Sequence, residues 1–144
     1  SAPQTLSRLM NMGVAPYNIA SSVTLIIAQR LARRLCQNCK EEIKIPPEEL
    51  INQGFREDEL KDLTIYKAVG CDQCNNHGYK GRVGVYEVMP VSEEIGRIIM
   101  ANGNALQIAD QARREGVNDL HRSGLEKVRA GLTSLEEINR VTTE

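Results

Sequence analysis

The sequence has few of the residues that nucleic-acid sites are built from. It contains no tryptophan and one phenylalanine, so aromatic platforms that stack the bases of a single strand are not expected. Eighteen Lys and Arg residues against nineteen Asp and Glu residues give a formal charge of −1, which provides no overall field to hold a polyanion. We therefore expect no nucleic-acid partner.

Long apolar runs are also missing. The longest, residues 23–28, leads directly into Gln29 and Arg30 and is far shorter than the roughly 20 residues that cross a bilayer. The first residues, Ser-Ala-Pro-Gln, carry neither an initiator methionine nor a basic-then-apolar signal pattern. We expect no transmembrane segment and interpret the chain as a part of a longer protein.

Short catalytic motifs are absent as well. The sequence has no Gly-x-x-x-x-Gly-Lys-Ser/Thr phosphate loop, no Gly-x-Ser-x-Gly and no His-Glu-x-x-His. Its two histidines, His77 and His121, are too few for an ordinary Ser/His/Asp constellation. We interpret His77 as a loop residue, His121 as a surface residue of a helix, and Glu87 as a structural residue of a strand.

The strongest motif is a pair of Cys-x-x-Cys sequences. All four cysteines belong to it: Cys36 with Cys39, and Cys71 with Cys74, with 31 residues between the pairs. Two such turns supply four thiolates, which complete the tetrahedron that Zn²⁺ accepts and leave no position open for a substrate water. We predict a structural zinc site with Cys36, Cys39, Cys71 and Cys74 as ligands.

Other interpretations of the cysteines remain open. Two disulfides would suit an oxidising compartment, for which the sequence gives no sign. Redox chemistry, or an iron–sulfur cluster, would use the same thiols, and a thioredoxin-like site would place one pair between a strand and a helix. The spacer between the pairs is longer than the 15–20 residues usual between zinc knuckles. Because it has few bulky apolar residues, we expect the metal to stabilise the fold of this segment as a structural crosslink.

The pattern along the chain is mostly helical. Helices are predicted over residues 3–12 and 17–28, where apolar residues repeat every three or four positions, while residues 29–35 fit either a helix or a strand. Residues 82–88 alternate with period two and predict a strand. From Ser92 onward, capping residues and glycines at helix ends predict a compact bundle of short helices.

A basic cluster lies beside the first cysteine pair and comprises Arg30, Arg33, Arg34 and Lys40. The simpler interpretation is a solvated face of the protein. The alternative is that one or two of these arginines reach a phosphate or acidic residues of a neighbouring subunit.

Together these residues resemble a known family. Four stretches are similar to the secretion-superfamily ATPases, the hexameric motors of type II secretion and type IV pilus assembly: residues 1–14 (SAPQTLSRLMNMGV), 19–36 (ending in AQRLARRLC), 78–88 (GYKGRVGVYEV) and 131–138 (GLTSLEEI). The paired Cys-x-x-Cys motif is similar to the tetracysteine zinc insertion of the assembly-type members. The resemblance covers essentially the whole chain.

The resemblance implies an α+β, mostly helical fold in four segments. Residues 1–35 would be the C-terminal remnant of a RecA-like α/β domain and residues 36–81 a small zinc-stapled subdomain with short strands. Residues 82–91 would be a returning strand and residues 92–144 a C-terminal helical bundle. In the family, the phosphate loop, the Walker B segment, the acidic box and the histidine box all precede the part matched here.

The resemblance also implies a function. The whole protein would be a cytoplasmic homohexameric ATPase, peripheral at the inner membrane, that binds ATP and Mg²⁺ and moves a membrane platform protein to polymerise pilin. This chain alone is expected to be inactive, with structural, zinc-binding and intersubunit or platform contacts. Gln29 and Arg30 match a recurrent element of the family without a role that we can assign. The alternatives are a type II secretion ATPase, a free-standing zinc-binding interaction module, and a zinc-ribbon protein that binds nucleic acid.

Overall fold

A computed structural model of the chain describes residues 1–143 and shows an α+β protein that is about half helical. The helices and strands, in chain order, are α1 Ala2–Asn11, α2 Pro16–Ser22, β1 Leu25–Leu35, β2 Glu41–Ile43, α3 Pro47–Gln53, β3 Ile65–Lys67, β4 Tyr79–Pro90, α4 Glu93–Met100, α5 Ala105–Arg114, α6 Leu120–Arg129 and α7 Leu135–Thr142. Two 3₁₀ turns, Glu57–Asp62 and Asp72–Cys74, lie in the middle of the chain. No helix of the described part has both the length and the apolar character that a membrane span requires.

The described residues form two compact units. The first combines Ser1–Gln29 with Tyr86–Leu120, and the second combines Arg30–Val85 with the residues from His121 onward. Strands β1 and β4 pair with each other and contribute residues to both units. Each unit is therefore assembled from segments that lie far apart in the sequence.

The first unit is held together by an apolar core. Helix α2 packs on α4, and both α1 and α4 pack on α5. The buried core residues are Ala2, Leu6, Ile19, Ile26, Met89, Ile95, Ile99, Ile108 and Ala112. Helix caps predicted from the sequence define the ends, since Ser92 accepts from the N–H of Ile95 and Asn104 forms a reciprocal capping box with Gln107.

The second predicted helix is wrong in its C-terminal half. Helix α2 ends at Ser22, and the chain continues as β1 from Leu25 to Leu35. Residues 23–27 are β-branched or Leu, and in the strand Ile26 is buried while Leu25 and Ile27 on either side of it are exposed. Pairing with β4 decides in favour of the strand, and the ambiguous residues 29–35 continue it.

The second unit contains β2 and β3, which pair antiparallel with Glu41 opposite Lys67 and Ile43 opposite Ile65. Its apolar side chains are fewer between the cysteine pairs, where Leu50, Phe55 and Ile65 are the buried ones. Of the helices after Ser92, α4 and α5 belong to the first unit, and α7 with nearly all of α6 belongs to the second. The C-terminal helical bundle of residues 92–144 stays a prediction. The boundaries of the four segments within an intact protein stay a prediction.

Candidate metal centre

The first cysteine pair lies in a turn at the end of β1. Cys36 follows the last strand residue, Leu35, and its backbone N–H donates to the carbonyl of Gly78 at 3.0 Å. The N–H of Lys40 then closes the turn onto the carbonyl of Cys36 at 3.1 Å. The strand end thus fixes the direction in which both thiols of the pair project.

The second cysteine pair lies at the 3₁₀ turn Asp72–Cys74, with Cys71 as the residue that caps the turn and Cys74 as its last residue, between two glycines that cannot be replaced freely. Gly70 and Gly78 have φ of +127° and +81°, a region that only glycine enters without strain. A Cβ on Gly70 would lie 2.9 Å from the carbonyl oxygen of Asn76, and one on Gly78 would lie 2.7 Å from the Cβ of Ala68. The backbone therefore wraps closely around this pair of sulfurs.

The four sulfur atoms form one cluster. All of them lie within 4.8 Å of one another, and Cys36–Cys71, Cys39–Cys74 and Cys71–Cys74 are each separated by 3.8 Å. A regular tetrahedron with Zn–S bonds of about 2.3 Å has S···S edges of about 3.8 Å. The donor set and its spacing therefore fit a single tetrahedral ion such as Zn²⁺.

Hydrogen bonds from N–H groups surround the sulfurs. The N–H of Gly70 donates to Cys39 at 3.3 Å, and those of Cys71 and Gly78 donate to Cys74 at 3.2 Å each. The side-chain amide of Asn38 donates to Cys71 at 3.3 Å, which lowers the pKa of that thiol to about 6. Such bonds stabilise thiolates and orient metal ligands.

The same cluster argues against four thiolates without a cation. Burial raises the pKa of Cys39 to about 12, in the opposite direction to that of Cys71. Negative charges this close repel one another, so they ionise together only when a divalent cation between them compensates the repulsion. The chemistry of the donor set therefore agrees with its geometry.

The structure argues against two of the alternative interpretations of the cysteines, disulfides and a thioredoxin-like site. All four are free, and sulfurs 3.8 Å apart are not joined by bonds of about 2.05 Å, so the two-disulfide interpretation is wrong for this structure. Neither pair opens an α-helix, as a thioredoxin-like site would require. His77 is exposed and lies outside the cluster, in agreement with its interpretation as a loop residue.

Two members of the basic cluster have partners inside their own unit. Arg33 donates to the carboxylate of Glu137 and stacks on the ring of Tyr79, with its Cζ 4.2 Å from the ring centroid. Lys40 Nζ donates to the carbonyl of Gly131 at 3.0 Å. For Arg33 and Lys40 the structure therefore shows contacts within the chain.

Glu137 is a buried carboxylate that no sequence motif indicates. Its carboxylate accepts from the guanidinium groups of Arg33 and Arg140 and, at 2.7 Å, from the backbone N–H of Arg33. Burial by itself would raise its pKa, but these hydrogen bonds outweigh burial and lower the pKa to about 2. Arg33 lies 104 positions earlier in the chain, so no local pattern reveals the pair.

Three other residues singled out in the sequence, His121, Gln29 and Glu87, form hydrogen bonds within their own units. His121 bridges two helix ends, with Nε2 2.6 Å from the carbonyl oxygen of Gln53 and Nδ1 3.0 Å from Oγ1 of Thr142. In the first unit, Gln29 donates to the hydroxyl of Tyr86 at 3.3 Å. Glu87 is buried there and accepts from the N–H of Ala2 at 2.8 Å.

Comparison with known proteins gives the context of this centre. The family model described as type II/IV secretion system protein matches residues 1–140. The chain belongs to this family. The resemblance seen in the sequence is therefore confirmed at the family level.

Named relatives within the type II/IV secretion family are similar over the whole chain. The chain is 57% identical over 144 residues to the type IV pilus assembly ATPase PilB of Pseudomonas aeruginosa, with all of the chain and 25% of the relative covered. It is 43% identical over 138 residues to PilB of Myxococcus xanthus, covering 95% of the chain and 24% of the relative. The type II secretion system ATPase E of Vibrio cholerae is 37% identical over 144 residues, with 100% and 28% covered. The chain spans about a quarter of the length of these relatives.

Proposed function

We propose that the cysteine cluster is a structural zinc site with Cys36, Cys39, Cys71 and Cys74 as its ligands. The observation that carries this assignment is the set of sulfur separations, which match a closed tetrahedron. A closed shell of four protein ligands leaves no position for a reacting water, so the ion would stabilise the fold and take no part in a reaction. It would compensate for the sparse apolar packing between the two cysteine pairs.

We further propose that the chain is part of an ATPase that drives type IV pilus assembly. The support is the 57% identity to a relative of that name, against 37% for the relative named for type II secretion. The nucleotide and Mg²⁺ would be bound by parts of the intact protein outside this chain, and residues 1–35 would complete a RecA-like domain there. In this proposal the protein works as a cytoplasmic homohexamer at the inner membrane and pushes on a platform protein.

A chromosomal replacement tests both parts together. Cys36→Ser, introduced into the gene for the intact protein, should abolish surface pili and leave type II secretion of exoproteins normal. His77→Ala is the matched control, because His77 is an exposed residue next to the second pair and outside the sulfur cluster. Normal piliation with failed secretion would contradict the pilus assignment and support the secretion alternative.

A simpler assay concerns catalysis. The purified 144-residue chain, incubated with Mg²⁺ and ATP, should release no phosphate above the rate of a blank, because it carries no phosphate loop. Turnover that co-purifies with the chain and survives repeated purification would contradict the proposed division of labour.

A further inference from the structure

The loop between α6 and α7 is the part of the second unit that the proposed function does not use. Helix α6 ends in a Schellman motif: the N–H of Gly131 donates to the carbonyl of Val128, and that of Leu132 to the carbonyl of Lys127. Gly131 has φ of +76° and serves as the left-handed residue of this motif. These bonds leave the carbonyl of Gly131 itself available to other groups.

That carbonyl is bound by residues of the first cysteine turn. Lys40 Nζ donates to it at 3.0 Å and Gln37 Nε2 donates to it at 3.3 Å. Lys40 directly follows Cys39 and Gln37 directly follows Cys36, so a neighbour of each cysteine binds the same oxygen. The N–H of Leu35, the residue before Cys36, donates to the carbonyl of Leu132 at 2.8 Å. Three hydrogen bonds thus join the turn that holds two sulfurs to the turn that ends α6.

The absence of a side chain at Gly131 makes room for this contact. A Cβ at Gly131 would lie 2.9 Å from Nζ of Lys40 and 3.4 Å from Cε2 of Tyr66. The ammonium group also lies over the ring of Tyr66, 4.2 Å from its centroid, where the ring attracts a cation. Glycine at 131 is therefore favoured by its φ, and a Cβ there would force the flexible end of Lys40 to shift away from its present position.

The next two residues of the loop make contacts beside the cysteines as well. Thr133 Oγ1 donates to the carbonyl of Arg33 at 2.8 Å, and Ser134 Oγ is 2.7 Å from the hydroxyl of Tyr79. Thr133 and Ser134 are both buried. The start of α7 is thus fixed to strand residues that flank the cluster on both sides.

We propose that metal binding and the docking of α6 and α7 are coupled through the Gly131 contact, meaning the bonds of its carbonyl to Lys40 and Gln37. This inference rests on the proposed zinc site. An ion that orders the Cys36 turn presents Lys40 and Gln37 in the positions that hold Gly131, and loss of the ion releases both. Because coupling free energies are reciprocal, weakening the docking must also weaken metal binding.

The first test removes the metal from the intact chain and follows amide hydrogen exchange. Chelation should raise the exchange of residues 121–143 by roughly tenfold or more, together with that of residues 36–78. Residues 93–114 in α4 and α5 of the first unit are the internal reference and should keep their protection. Unchanged protection of residues 121–143 after complete metal removal would overturn the coupling.

The second test compares two glycines with the same backbone role. Gly116 ends α5 in the first unit with φ of +84°, and its motif has the same two bonds, from Gly116 to Arg113 and from Val117 to Ala112. A Cβ there would meet nothing within 4 Å. Gly131→Ala and Gly116→Ala therefore introduce similar backbone strain, but only the first displaces Lys40.

Zinc affinity, measured by competition with a chromophoric chelator, should fall roughly tenfold in Gly131→Ala and stay unchanged in Gly116→Ala. Lys40→Met should act in the same direction, with Lys44→Met as its control, because Lys44 is exposed and pairs with Glu42. If the parent chain and Gly131→Ala each bind one zinc with equal affinity, the inference is overturned. A parent chain that binds no zinc would overturn the metal site itself, a different and recognisable result.

Discussion

The two units of this protein are stabilised in different ways. The first has a continuous apolar core and one buried ionisable side chain among the described residues, Glu87. The second buries four polar or charged side chains, Glu59, Thr133, Ser134 and Glu137, as well as two of the clustered cysteines. It holds these groups through ion pairs and hydrogen bonds, to which the proposed zinc site would add four sulfur–metal bonds.

The difference teaches how a unit that buries several polar and charged side chains keeps a single structure. Apolar packing is tolerant of small changes, whereas buried polar groups are costly unless every partner is in place. Within the described residues no buried side-chain nitrogen or oxygen lacks a hydrogen-bond partner, so the second unit meets this demand. We therefore expect the first unit to lose free energy of unfolding in proportion to the apolar volume that a mutation removes. We expect the second unit to lose it when a mutation removes one partner of a buried polar group.

The largest effect should come from a ligand cysteine. Cys71→Ser removes one ligand of four, and structural zinc contributes about 10 kcal/mol or more in small zinc domains. We expect the second unit to lose its cooperative structure while the amide signals of α4 and α5 persist in the NMR spectrum. A variant that keeps one zinc and a native-like second unit would contradict the four-sulfur assignment.

A core substitution in the first unit should have the next largest effect. Ile108→Ala opens a cavity at a fully buried position of α5 and should lower the free energy of unfolding of the first unit by about 3 kcal/mol. Leu106→Ala, at a position that is 69% exposed on the same helix, should change it by less than about 0.5 kcal/mol. Similar losses in both variants, measured by denaturant titration, would contradict the description of this core.

Removal of one buried charge tests the polar half of the comparison. Glu137→Gln leaves Arg33 and Arg140 without their carboxylate and should destabilise the second unit by about 2–3 kcal/mol. This is less than the roughly 3–5 kcal/mol lost when a fully buried pair is broken, because both arginines are half exposed. Glu136→Gln changes an exposed neighbour that forms no ion pair with another residue of the described part, and should be nearly neutral. Denaturant titration of the two variants would refute the account if their effects were equal.

The pH dependence of the same pair gives a smaller effect. The pKa of Glu137 is lowered from 4.5 to about 2, so its contribution is complete above about pH 4.5 and declines as the pH falls toward 2. The stability difference between the parent chain and Glu137→Gln should therefore shrink as the pH falls below about 4.5. Because acid would also release the proposed zinc and unfold the second unit of both proteins, the two are compared only at pH values at which each still binds metal, and a difference that stays constant with falling pH there would contradict this pKa.

Local features could be predicted from the sequence, and long-range ones could not. The caps at Ser92 and Asn104 and the two cysteine pairs depend on residues three or four positions apart, so their pattern is sufficient. Residues 25–28 continue the helical spacing of the residues before them, yet pairing with β4 some 60 positions later makes them the start of strand β1. The start of α7 is a mixed case, because Ser134 caps the helix by accepting from the N–H of Glu137, while the Glu137 carboxylate accepts from the distant Arg33 and the neighbouring Arg140.

The metal centre shows the same limit. The spacing of the cysteines predicts which side chains would bind an ion. The Asn38 amide and the N–H groups of Gly70 and Gly78, which donate to the sulfurs, come into place only in the folded turns. The hydrogen bond from Lys40 to the carbonyl of Gly131 joins residues 91 positions apart in the chain, so no local sequence pattern predicts it. Glycine at the end of a helix was expected there, but its second role beside a lysine could not be.

X-ray absorption at the zinc edge of the purified chain tests the central claim most directly. The account predicts one zinc per chain with a single shell of four sulfur atoms at about 2.3 Å. A nitrogen or oxygen atom in place of a sulfur, or a purified chain that holds no metal after expression with zinc, would contradict it.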